Sequence, residues 1–68
     1  MIHTTNTYAV AVLGKSKGTK DLLCQLDVFI IENVVSDSIA GKRAQRMFKA
    51  AHPDLEQVQV VSTKVPKP

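Results

Sequence analysis

Four cations set close together are the residues of this chain best placed to do chemistry. Lys42, Arg43, Arg46 and Lys49 fall at i, i+1, i+4 and i+7, a spacing that gathers side chains on one face of a helix. Such a stripe can follow the phosphates of a nucleic acid or pair with carboxylates on an acidic protein surface. The nearest aromatic residue, Phe48, falls on the apolar side of the same helix. No ring is left for stacking on bases, and sequence-specific recognition of single strands is not expected. The simplest alternative is an ordinary solvated helix face. Lys15, Lys17 and Lys20 form a second basic group, which extends the stripe only if the turn that carries them curls toward the helix.

Nucleophiles and ligands are sparse. Cys24 needs a neighbouring base to act as a nucleophile, and it alternates with Leu22 and Leu26, which predicts a buried structural thiol. His52 falls at the expected helix end, where an imidazolium meets the negative end of the helix dipole; a capping role fits it better than catalysis. His3 lies in a polar lead-in. Two distant histidines and one cysteine do not make a structural zinc site. Ala9–Ser16, Ala-Val-Ala-Val-Leu-Gly-Lys-Ser, meets a permissive phosphate-loop pattern. A working loop needs flexible positions before its Gly-Lys pair, with a helix directly after. Here the preceding positions are β-formers and Lys17-Gly18-Thr19 follows. No catalytic residue, metal or cofactor is therefore assigned.

Size and composition point the same way. Sixty-eight residues, 44% hydrophobic and 22% charged, are the balance of one small globular domain with little chain left for a pocket. The domain is expected over residues 1–68, with 1–6 and 66–68 frayed. One cysteine excludes an internal disulfide, so a core of about 3–5 kcal/mol must stand on packing or on oligomerisation. The net charge of +3 arises beyond Val35, where Lys42, Arg43, Arg46, Lys49, Lys64 and Lys67 outweigh Asp37, Asp54 and Glu56. The polar start lacks the pattern of a signal peptide. The longest apolar runs, Tyr8 to Leu13 and Val28 to Ile31, are far short of the ~20 residues of a membrane span. With a free thiol, these features lead us to expect a cytoplasmic protein without a membrane partner.

The elements that must position the cations follow from periodicity. Thr7–Leu13 alternates, with Tyr8, Val10 and Val12 on one side and Ala9, Ala11 and Leu13 on the other; it predicts a strand. Gly14–Thr19, with two glycines and no apolar residue, predicts a hairpin turn. Lys20–Val35 satisfies both a strand and a helix pattern. Its Val28-Phe29-Ile30-Ile31 and Val34-Val35 favour strand, with a bulge or bend near Glu32-Asn33 to relieve its length. Ser36-Asp37-Ser38 supplies N-caps for a helix running to about Ala51. Ala40, Ala44, Met47, Phe48 and Ala51 form its apolar face, and His52-Pro53-Asp54 ends it. Glu56–Val65 predicts a last strand, stopped by Pro66.

Strand, strand, helix, strand folds into an α+β domain: a three-stranded antiparallel sheet of order 2-1-3 with one helix packed on one face. One helix cannot cover all the apolar residues of the second strand. Leu23, Phe29 and Ile31, with Val61 beyond them, form a candidate dimer surface unless a bend in the strand brings both apolar sets inside.

The layout also resembles a known group. Tyr8-Ala-Val-Ala-Val12, Asp27-Val-Phe-Ile-Ile31, Ser36-Asp-Ser38 opening a helix, then His52-Pro53 and Val58-Gln-Val-Val61 are similar in order and size to very small phage-encoded inhibitors. That group includes an inhibitor of bacterial RNA polymerase and some anti-CRISPR proteins. The resemblance implies a non-enzymatic protein, phage or mobile-element in origin, that blocks a host protein complex by binding it. The expected partner is therefore a host protein or protein complex, met through the basic helix face or a sheet edge. A nucleic-acid backbone is the alternative, and a homodimer is a separate expectation.

Overall fold

The computed structural model describes residues 4–17 and 24–66. It has the expected element order: β1 (Asn6–Ser16), β2 (Cys24–Val34), α1 (Asp37–Ala51) and β3 (Leu55–Val65). β1 is central, and it pairs antiparallel with β2 on one side and with β3 on the other. The helix covers one face of the sheet, so the α+β fold with strand order 2-1-3 is the one expected.

β1 reaches three residues beyond the expected strand. Gly14, Lys15 and Ser16 belong to the ladder with both neighbours or with β3 and not to a turn, and residues 18–23 lie outside the described segments. Gly14 is buried, and a Cβ built on it would lie 2.6 Å from Phe48 Cζ and 2.7 Å from Cε1. The glycine lets the Phe48 ring lie against the strand backbone, one of the recognised uses of glycine inside a sheet. The pattern resembling a phosphate loop is strand throughout, and its backbone groups are committed to ladders.

Cross-strand partners share a face, and this sorts the apolar residues. Tyr8 pairs with Ile31, Val10 with Phe29 and Ser62, and Val12 with Asp27 and Val60; these lie on the helix side. The core joins Tyr8, Val10 and Val12 to Ile31 and Val34 and to Ala40, Ala44 and Phe48 of the helix, with Phe29, Leu55 and Val60 packed against it. Burial of Phe48, Val10 and Val12 is complete, and each such side chain contributes about 1.5–3 kcal/mol. Two alanines at i and i+4 bring the helix axis close to the sheet. Met47 and Ala51 do not join them: both are exposed. The helix touches the sheet along the line of Ala40, Ala44 and Phe48, narrower than its apolar stripe.

The dimer surface expected from sequence is on the wrong side of β2. Ile31 is buried and Phe29 half-buried, both under the helix, while Leu23 lies outside the described residues. The uncovered residues are Leu26, Val28 and Ile30, at 61%, 60% and 57% exposure. They pair with Leu13, Ala11 and Ala9 on the face that the helix leaves open. Val61 is on that face too, opposite Ala11. Cys24, paired with Lys15 at one end of the same face, is exposed and not the buried thiol expected.

The expected irregularity near Glu32-Asn33 is present. Asn6 pairs with Val34 but Tyr8 with Ile31, so β2 holds one residue more than β1 across this step. Asn33 takes up the excess at φ 60, a left-handed conformation that Asn adopts more readily than most residues. The extra residue returns Val34 to the core side, where it is 2% exposed.

Candidate functional site

The helix that carries the four cations is fixed at both ends. At its start Ser36 is extended (φ −150, ψ 158), and its Oγ accepts from the Ile39 N–H at 3.4 Å, satisfying one donor of the first turn. Asp37 adds a negative charge there. At the far end the His52 N–H donates to the Phe48 carbonyl at 2.8 Å. The Leu55 N–H then donates to the His52 carbonyl at 3.2 Å as the chain turns through Pro53 and Asp54 into β3.

The His52 side chain does more than meet the helix dipole. Its Nε2 lies 2.7 Å from Asp27 Oδ2 on β2. An ionised carboxylate only accepts, so Nε2–H is the donor and the tautomer is set. Gln25 Nε2 donates to the other oxygen, Oδ1, at 2.8 Å. These two hydrogen bonds, the Gln25 bond first, hold the Asp27 carboxyl below its ordinary value. Phe48 and His52 also stack at a tilt, with ring centroids 4.9 Å apart. Gln57 of β3 donates to the Gln45 carbonyl at 2.9 Å. Hydrogen bonds from β2 and β3 thus join the packing that seats the helix, and its outer face is a platform turned away from the sheet.

Lys42, Arg43, Arg46 and Lys49 are all exposed on that platform, and among the described residues none is paired with a carboxylate. Arg43 and Arg46 flank a shallow depression whose remaining lining is Met47 and Ala50. Met47, expected in the core, is 48% exposed there. The surface therefore combines two guanidinium groups with an apolar floor. Met is a polarizable, adaptable side chain suited to contact surfaces, and Arg is the cation best shaped for bidentate pairing with carboxylates.

Lys15 of the second basic group does not join this surface. Lys15 is on the open face of the sheet, opposite Cys24 and Glu56, away from the helix. Lys17 is exposed just past β1, and Lys20 lies outside the described residues. Among the described residues no three of His, Cys, Asp and Glu are grouped to hold a metal ion. No described helix is long and apolar enough to cross a membrane. No protein-family model, curated protein or solved structure matches the chain.

Proposed function

We propose that this is a non-enzymatic binding protein that docks an acidic protein surface on the outer face of α1. The observation that carries this reading is the composition of the helix surface, Arg43 and Arg46 around the exposed Met47 and Ala50. A phosphate backbone needs cations alone, with no apolar floor between them. A protein partner uses both: carboxylates pair with the arginines at the rim, and an apolar side chain covers Met47. Inhibition of a host protein complex, as in the phage-encoded proteins the layout resembles, is the form of binding that this proposal adopts.

The test is retention of a partner from a nuclease-treated bacterial lysate, followed by titration with the purified partner. The wild type retains a protein that both Arg43→Glu/Arg46→Glu and Met47→Ala lose, while circular dichroism shows all three folded. If the charge reversal weakens binding but Met47→Ala does not, the surface acts by charge alone. A gel shift then decides for nucleic acid, where affinity falls linearly in log salt with a slope set by the phosphates neutralised. Retention that neither variant alters removes the helix face from the function.

A further inference from the structure

We infer that the open face of the sheet is the seat of a second copy of this chain, packed sheet to sheet with β2 of each copy over β1 of the other. This inference is independent of the helix surface, which points the opposite way. Three successive cross-strand rows of the open face, from Leu26–Leu13–Gln59 to Ile30–Ala9–Thr63, carry no charge. Charge returns at both ends of the patch, at the row of Lys15 and Glu56 and at the exposed Glu32, which follows Ile30 along the open side of β2.

The relief of the face names the occupant. β2 raises a ridge of Leu26, Val28 and Ile30. β1 beside it has Ala9 and Ala11, a trough floor bounded on the far side by Val61 and Thr63 of β3 and closed at one end by Leu13, which stands beside Leu26. A ridge beside a trough is self-complementary under a two-fold axis that lies in the interface, parallel to the strands, between β1 and β2. That operation lays Val28 and Ile30 of each ridge over Ala11 and Ala9 of the other copy at the same level, with Leu26 of one copy against Leu13 of its partner. A two-fold perpendicular to the strands sets ridge on ridge instead. Stacked sheets pack about 10 Å apart, a distance at which valine against alanine fills the gap. The two strands of eleven residues that overlap in each copy, β1 and β2, present roughly 350 Å² in projection, less than each partner buries in a standard interface and in the range of weak, transient contacts. The dimer is therefore expected to be reversible.

Sedimentation equilibrium of the full chain across about 1 µM to 1 mM, the range in which interfaces of this size dissociate, tests the association. A charge swap tests its register. Val28→Asp buries a carboxylate at two places in the dimer and weakens it about a hundredfold or more. Ala11→Arg does the same with a cation. Mixed in equal amounts, the two variants form a heterodimer in which the aspartate of one faces the arginine of the other, and association recovers. Both positions are on the open face, so circular dichroism of each variant matches the wild type. Where Val28→Asp does not fold, Ile30→Asp with Ala9→Arg takes its place at the next row. A wild type that stays monomeric throughout overturns the inference. So does a dimer that Val28→Asp leaves intact, and variants that stay monomeric on mixing overturn the ridge-in-trough register.

Discussion

Gly14→Ala is the substitution that most directly examines how the helix is seated. A new Cβ would stand 2.6 and 2.7 Å from two ring atoms of Phe48 and 3.3 Å from Leu55 Cβ. Carbon atoms rest about 3.5–4.0 Å apart, so the ring must yield by roughly 1 Å. It has no free space to enter, being 0% exposed, and a shift along its plane presses on His52 at 4.9 Å. Overpacking of this kind costs about 1–3 kcal/mol. Alanine returns about 0.5–1 kcal/mol by restricting the unfolded chain, leaving a net loss of about 1–2 kcal/mol. Against a core of about 3–5 kcal/mol that is a large fraction, and at about 4–8 °C per kcal/mol the melting temperature falls by roughly 5–15 °C. Thermal and urea melts followed by circular dichroism measure it. Phe48→Leu removes the ring atoms that clash, so in that background Gly14→Ala should be neutral or stabilising, a coupling above about 0.5 kcal/mol. A more stable Gly14→Ala protein, or an equal cost in both backgrounds, would refute the close approach as the reason for the glycine.

Three further outcomes are expected. Asn33→Gly leaves stability within a few tenths of a kcal/mol, because glycine accepts positive φ, whereas Asn33→Val lowers it by about 1–3 kcal/mol; paired thermal melts separate the two. Ser36→Ala loses the helix N-cap and costs about 0.5–1 kcal/mol, the lower part of the usual range, given a hydrogen bond as long as 3.4 Å; urea melts at fixed pH measure it. For Asp27 the direction of the shift sets the pH dependence. Its carboxyl is held below the ordinary 3.8, so its contribution is complete above that pH and is lost as pH falls through the lower folded-state value. The melting temperature of Asp27→Asn should lie below that of the wild type at neutral pH, and the gap should close under acid conditions.

Much of the fold is legible in the sequence because the signals are local. Alternation marks β1 and β3, Ser36-Asp37-Ser38 marks the helix start, and Pro53 marks its end. Asn33 beside Glu32 in an overlong strand marks the bulge. The face of β2 is not legible, because both of its sides are apolar: Leu26, Val28 and Ile30 alternate with Phe29 and Ile31. Period-two patterning then carries no sign. The sign is held by β1, whose bulky Tyr8, Val10 and Val12 belong under the helix and whose alanines belong opposite. Cys24 follows the same inversion. Gly14 has the same sequence signature in a turn as in a strand that lies against a ring. The Asp27–His52 contact joins residues 25 positions apart, and no spacing rule reaches that far. The basic stripe is legible from helical period alone, but the exposure of Met47 is not: the helix rests on a line of Ala40, Ala44 and Phe48, which leaves Met47 and Ala51 of its apolar stripe exposed, Met47 within the candidate surface.

The central position of β1 has a consequence for how the chain is made. Its two neighbours do not become available together. β2 follows after a short connection, but the first partner on β3, Leu55, comes thirty-nine residues after Ser16, and the last contact joins Thr7 to Val65. At a synthesis rate of about 5–20 residues per second, one edge of β1 waits roughly two to eight seconds for its complement. Through that interval the nascent hairpin has a bare ladder edge and apolar side chains on both faces, a form open to pairing with other chains. Lys15 and Lys17 near the end of β1 place charge beside that edge, which discourages such pairing. The order of the strands thus makes the pairing of β1 with β3 the last that synthesis permits.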